Sequence, residues 1–293
     1  MMGSQCPTIN KKYKNEQNHE DNKNKNEQNH EDNKNKNEQN HEEGENEKDF
    51  NYSILKDLIP KKEENNKDNK NIILLTTGSY NPIHRMHLEI LNIAYKKLLS
   101  YGNYNVICGF ISPSADCYVR HKAKEFIDFK TRCDMIKEAI KEYNELGKED
   151  NKLKIFLHKW EGSHQYFIDF PEVNSQIQNQ INEHFKQEEI QLVYVCGMDL
   201  YLKCARHYLG KNVIAVDRKP YKKNFFNEKP TQLIFEIKDE KAEPFSSTSI
   251  REYYYNNQFD QIEKVTFPGV AKMVIDYYDK YYKNDKNSNF EHP

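Results

Sequence analysis

Between residues 72 and 282, short apolar runs take turns with stretches of helical spacing, and that alternation limits the fold more than any other feature of the chain. Ile72-Ile73-Leu74-Leu75-Thr76-Thr77 is short and continuously apolar, the pattern of a strand covered on both faces. Gly78 ends it, and from His84 the residues Leu88, Leu91, Ala94, Tyr95 and Leu98 recur at helical spacing. Further strands are expected at residues 104–111, 153–157, 192–196, 213–216 and 233–237. Helices are expected over 129–143 with Asp128 as N-cap, over 177–185, over 199–208, from Ser247–Thr248 onward, and over 268–282. Strands alternating with helices predict an α/β fold: a Rossmann-like, doubly wound parallel sheet with helices on both faces. In such sheets ligands bind beyond the carboxyl ends of the strands, so the informative residues should follow each strand.

The segment before this region has a different character. KNEQNHEDNKN begins at Lys14, begins again at Lys25, and returns in degraded form at Lys36. The unit has no apolar side chain to bury, so three copies cannot offset the entropy of ordering them. Residues 1–65 are therefore expected to be a disordered tail, 66–284 the domain with order beginning near Asn71, and 285–293 a disordered end. His19, His30 and His41 recur once per copy and suit either loose metal binding or a solvated low-complexity tract. The formal net charge of −2 gives no global basic field to attract nucleic acid. No apolar run approaches the roughly 18 residues of a membrane span, and the N-terminus lacks the apolar core of a secretory signal. The six cysteines are far apart and form no Cys-x-x-Cys, which fits a reduced intracellular protein, in cytoplasm or nucleus.

Two segments carry the chemistry. In TTGSYNPIHRMH, Gly78 permits close approach or positive φ, Pro82 forces a tight exit, and the helix that follows offers free N–H groups to an anion. His84 and His87 share one face of the first helical turn. Beside a polyphosphate, the anion favours their protonated, donating form. The same spacing also suits a capped turn with one core and one exposed histidine. The turn matches neither the Walker loop nor the Gly-x-Gly-x-x-Gly pattern. In Phe245-Ser246-Ser247-Thr248-Ser249-Ile250-Arg251, an N-cap needs one hydroxyl and four are present. Arg251 lies one turn past Thr248, so hydroxyls, free N–H groups and a guanidinium fork form a second phosphate cradle.

Together the two cradles resemble the nucleotidyltransferase superfamily, and within it the eukaryotic nicotinamide/nicotinate mononucleotide adenylyltransferases. GSYNPIHRMHLEIL is similar to that family's Gly-Ser-Phe-Asn-Pro-Ile turn, ISPSADCYVRHK to its Ser-Pro-x-x-Asp-x-Tyr segment, and Trp160-Glu161 to its Trp-Glu pair. VCGMDL resembles its Gly-Ala-Asp motif, VIAVDR its strand ending in Arg, and SSTSIRE its late helix start. The six matches fall in the family's order. The resemblance implies attack of a pyridine mononucleotide (NMN or NaMN) 5′-phosphate on the α-phosphate of ATP, giving NAD or deamido-NAD and pyrophosphate. It implies Mg²⁺ with the triphosphate, held by few protein ligands and no dedicated protein metal site, and it implies self-association.

By resemblance, His84, His87 and Arg251 are the catalytic group. ATP is met by them and by Gly78, Ser79, Tyr80, Gly197, Asp199, Ser247, Thr248 and Ser249. The mononucleotide is met by Ser79, Tyr80, Tyr118, Arg120, Trp160, Phe167, Phe170, Asp199, Tyr208 and Arg218. Some positions depart from the pattern: Arg120 stands where the family has Lys, Phe170 where it has Thr, and Trp160 is the sole Trp, so Tyr208 replaces a second stacking ring. Trp160 and Phe167 equally suit core packing. Two other readings stay open: a sister nucleotidyltransferase for phosphopantetheine or a CTP-dependent reaction, and a catalytically silent nucleotide-binding regulator.

Overall fold

Strand β1 (Lys70–Gly78) lies at the middle of the sheet. Its side chains alternate: Ile72 and Leu74 enter one core layer, Ile73 and Leu75 the other. Both faces are covered, which is why the run is apolar throughout rather than at every second position. On one side β1 pairs with β2 (Tyr104–Pro113), and β3 (Ile155–Leu157) lies outside that. On the other it pairs with β4 (Ile190–Gly197), flanked by β5 (Val213–Val216). The order is β3-β2-β1-β4-β5, and every pairing is parallel.

The computed structural model describes residues 50–60, 69–146, 152–205, 212–216 and 245–283. The repeat tail, the end segment 285–293, the expected strand at 233–237, and Tyr208 and Arg218 lie outside the described residues.

Helices α1 (Arg85–Ser100), α2 (Asp116–Lys122), α3 (Phe129–Glu145), α4 (Phe170–His184), α5 (Ser247–Tyr255), α6 (Phe259–Val265) and α7 (Pro268–Tyr281) complete the architecture. Leu91 of α1, Met135 of α3, Ile250 of α5, Ile262 of α6 and Val274 of α7 fill one layer, and Val173, Ile177 and Ile181 of α4 the other. This is the doubly wound, Rossmann-like α/β fold that the alternation predicts. Asp128 caps α3 as expected: its carboxylate accepts the Thr131 N–H at 2.9 Å and the Thr131 hydroxyl at 2.7 Å.

Three features differ from the sequence expectation. Order does not wait for Asn71, because a 3-10 turn at Tyr52–Leu58 buries Tyr52 and Leu55 in the second core layer. The Tyr52 hydroxyl lies 3.0 Å from His158 Nε2 and donates to Gln180 at 2.9 Å. The expected helix over 199–208 begins as a short turn at Met198–Leu200 and widens into a π-helical turn at Tyr201–Ala205. Helices α2 and α6 were not foreseen. Each has only seven residues, too few for an apolar period to emerge.

Candidate active site

Chain order reverses between β1 and β4, so a crevice opens beyond their carboxyl ends. The turn leaving β1 forms one wall. Positive φ falls on Tyr80 (45°) and not on Gly78. What Gly78 supplies is room: a Cβ there would stand 3.3 Å from the Tyr80 ring, which is buried edge-on against His87. The Asn81–Pro82 bond is cis. Asn81 is buried, its amide donating to the Glu125 carbonyl at 2.7 Å and accepting the Ile127 N–H at 2.8 Å.

His84 caps α1, and its N–H donates to His87 Nδ1 at 3.1 Å. The two imidazoles stack at 3.6 Å, 24° from parallel. Because His87 Nδ1 accepts, the neutral ring carries its proton on Nε2 and donates from there.

The late segment closes on the same turn. Ser246 is the true cap of α5, accepting the Ser249 N–H at 3.0 Å while the two hydroxyls meet at 2.7 Å. Ser247 donates to the Pro82 carbonyl at 2.7 Å. Arg251 donates to the Asn81 carbonyl at 2.8 Å and to the Thr248 hydroxyl at 3.0 Å, and its Nε lies 3.4 Å from the Glu125 carboxylate. The two segments thus enclose one cavity of about 700 Å³. Ser79, His84, His87, Asp199, Ser247, Thr248 and Arg251, all named in the sequence reading, line it.

Other expected site residues stand elsewhere. Gly78 and Tyr80 lie behind the wall, and Ser249 is engaged in the cap. Gly197 precedes the Met198–Leu200 turn. Tyr118 and Phe167 stack on each other at 4.5 Å and 20°. Trp160 is half-buried, edge-on to His164, which donates through Nδ1 to the Trp160 carbonyl at 2.7 Å. Phe170 opens α4 and stacks on the buried Tyr194 at 5.4 Å, so it belongs to core packing. Arg120 is exposed and lies over the Phe126 ring at 4.3 Å, not in the cavity wall.

Sequence reasoning missed three charged residues. Lys122 lines the cavity, 3.3 Å from the Ser79 hydroxyl. Arg132 is wholly buried. Its guanidinium donates to the carbonyls of Ile127 (2.9 Å), Ser79 (2.8 Å) and Ser114 (2.7 Å) and to the Asp116 carboxylate (2.8 Å). Its signal was an Arg in the first turn of an amphipathic helix, which reads as surface until the loops fold over it. Glu125 is buried behind Arg251. Glu161, from the Trp-Glu pair, is likewise buried and accepts from Ser112 at 2.7 Å. Burial pushes its carboxyl up to about 7, opposed by hydrogen bonds from Ser112 and Ser114 and by Arg132. Among the described residues, no group of three His, Cys, Asp or Glu side chains is placed to hold a metal ion.

A family model, cytidylyltransferase-like, matches residues 75–253, a stretch that begins in β1 and ends in α5 and so contains both walls of the cavity. The chain belongs to the cytidylyltransferase-like family. A nicotinamide/nicotinic acid mononucleotide adenylyltransferase of Arabidopsis thaliana is 27% identical over 140 residues, 47% of this chain and 53% of that protein. Nicotinamide/nicotinic acid mononucleotide adenylyltransferase 1 of Bos taurus is 38% identical over 76 residues, 26% of each chain. The match thus spans about half the length of the first relative and a quarter of the second. The solved Plasmodium falciparum nicotinic acid mononucleotide adenylyltransferase complexed with APC superposes with a TM-score of 0.52 at 19% identity, covering 75% of this chain and 100% of that one. Its complex with NaAD gives 0.51 at 18% identity, covering 71% and 96%. At such identity the structural likeness speaks for the fold.

Proposed function

We propose that this cytidylyltransferase-like protein is an adenylyltransferase that joins ATP to nicotinamide or nicotinate mononucleotide. The observation that carries the reading is the convergence of residues 79–87 and 246–251 on one cavity rich in N–H, hydroxyl and guanidinium donors. The names of the similar proteins point to the same pair of substrates.

The reaction asks little covalent chemistry of the protein. A 5′-phosphate oxygen attacks the α-phosphorus of ATP, the bond to the bridging oxygen breaks, and pyrophosphate carries away the electron pair. Alignment and neutralisation of charge supply the catalysis. His87 donates through Nε2, with His84 stacked behind it, and Arg251 and Thr248 receive phosphate oxygens. Asp199 accepts ribose hydroxyls. Neither Cys108 nor Cys133 is poised as a nucleophile. Burial raises Cys133 to about 12 and pushes Cys108 up as well, against the direction a thiolate needs. The donor set would suit Mg²⁺ carried in by the triphosphate: Asp199, the one acidic side chain in the described wall, would be the residue to meet the ion, and the ion would supply charge neutralisation.

Purified protein mixed with ATP, Mg²⁺ and either mononucleotide should form the dinucleotide and pyrophosphate. His87→Ala should lose roughly 10²–10³ in kcat, the scale of one transition-state donor, while its circular dichroism and Tm stay close to wild type. Turnover of phosphopantetheine, or of CTP with a phospho-alcohol, in place of these substrates would overturn the assignment.

A further inference from the structure

Lys122 is a cation placed where two anions must meet. Its ammonium stands 3.3 Å from the Ser79 hydroxyl in the cavity wall. Arg251 of α5 and Lys203 of the π-helical turn repel it, and Asp199 attracts it. Desolvation and these two cations lower its pKa, with Asp199 opposing. No carboxylate lies within ion-pairing distance of it among the described residues. An ammonium held among like charges without a close counter-ion is stabilised when an anion arrives.

The position on α2 says which anion. Lys122 follows Tyr118 by four residues, so the two side chains share one face of the helix. The ammonium lies 5.5 Å from the Tyr118 ring centroid, and that ring stacks on Phe167. An aromatic platform with a cation one turn away suits a ring and its 5′-phosphate. The triphosphate donors, by contrast, belong to α1 and α5. Arg120, two residues earlier, turns away to cover Phe126.

We infer that Lys122, and not Arg120, binds the 5′-phosphate of the mononucleotide and neutralises it as it approaches the α-phosphate of ATP. The inference rests on the proposed adenylyltransferase reading. Helix α2 thereby carries the phosphate contact together with Tyr118, one ring of the aromatic pair.

Calorimetric titration of NMN and NaMN into wild type, Lys122→Gln, Lys122→Arg and Arg120→Gln, with KM measured for both substrates, tests it. Lys122→Gln should weaken mononucleotide binding and raise its KM at least tenfold, with the KM for ATP changed less than threefold. Lys122→Arg should recover most of the loss. Arg120→Gln should bind and turn over as wild type does. Equal weakening of both substrates, or a loss confined to Arg120→Gln, overturns the inference while leaving the adenylyltransferase reading in place. A wild type that binds neither mononucleotide overturns both.

Discussion

Arg132 shows how much one side chain can organise. Its guanidinium holds the turn after β1 through Ser79, the end of β2 through Ser114, and the start of α2 through Asp116. A buried charge survives only with such full pairing, and losing a partner is costly. Glu161, close by, has the opposite problem. The folded chain disfavours its charged form, raising its pKa from 4.5 to about 7. Between those values the folded state binds more protons than the unfolded one, so this group's contribution is fully present below 4.5 and is lost as pH rises through 7. Glu161→Gln removes the titration. The Tm of wild type relative to Glu161→Gln should therefore fall steadily from pH 5 to pH 8, as thermal melts at each pH would show. A difference independent of pH would mean that the carboxyl is ionised throughout.

Among the elements, the 3-10 turn at Tyr52–Leu58 changes where the folded unit starts. Phe50 and Tyr52 pack edge-on against Phe110, and Phe50 stacks on His158 at 5.5 Å. Burying a side chain the size of Tyr52 or Leu55 contributes ~1.5–3 kcal/mol each, before the cost of ordering the segment. Deleting residues 1–49 should leave Tm and turnover as they are. Deleting 1–65 uncovers Phe110 and His158 and should lower Tm by roughly 5 °C or more. Scanning calorimetry of the two truncations separates them, and equal melting temperatures would make the turn dispensable. The apolar residues of FNYSILKDLIP find their partners in β2, β3 and α4, more than fifty residues away, so spacing along the chain did not reveal the turn. Helices α2 and α6 were illegible for a related reason. Each buries only one or two apolar side chains, Val119 in the first and Ile262 and Val265 in the second, and Asn257 in the left-handed region (φ 54°) breaks the pattern before α6.

At the scale of the whole molecule, the cavity exists because two segments some 165 residues apart share hydrogen bonds, Ser247 to Pro82 and Arg251 to Asn81. A ligand spanning both walls should stabilise them together, by ~2.7 kcal/mol at a hundredfold excess over Kd. Hydrogen exchange with and without Mg-ATP should slow at 79–87 and 246–251 in concert. Protection of one segment alone would mean that the triphosphate does not bridge them.

The alternation of apolar runs determined the doubly wound sheet, because strand and helix periods are local properties and a sheet covered on both faces leaves its signature in continuous runs. The donor-rich turns after β1 and before α5 were legible for the same reason, since caps and turns are written in neighbouring residues. Tertiary structure alone decided that the Tyr80 ring packs against His87 and the Phe170 ring against Tyr194, that Arg132 sits buried behind the cavity, and that Lys122 rather than Arg120 faces it. Those outcomes depend on which distant carbonyl, ring or charge stands opposite, and no spacing along the chain encodes that.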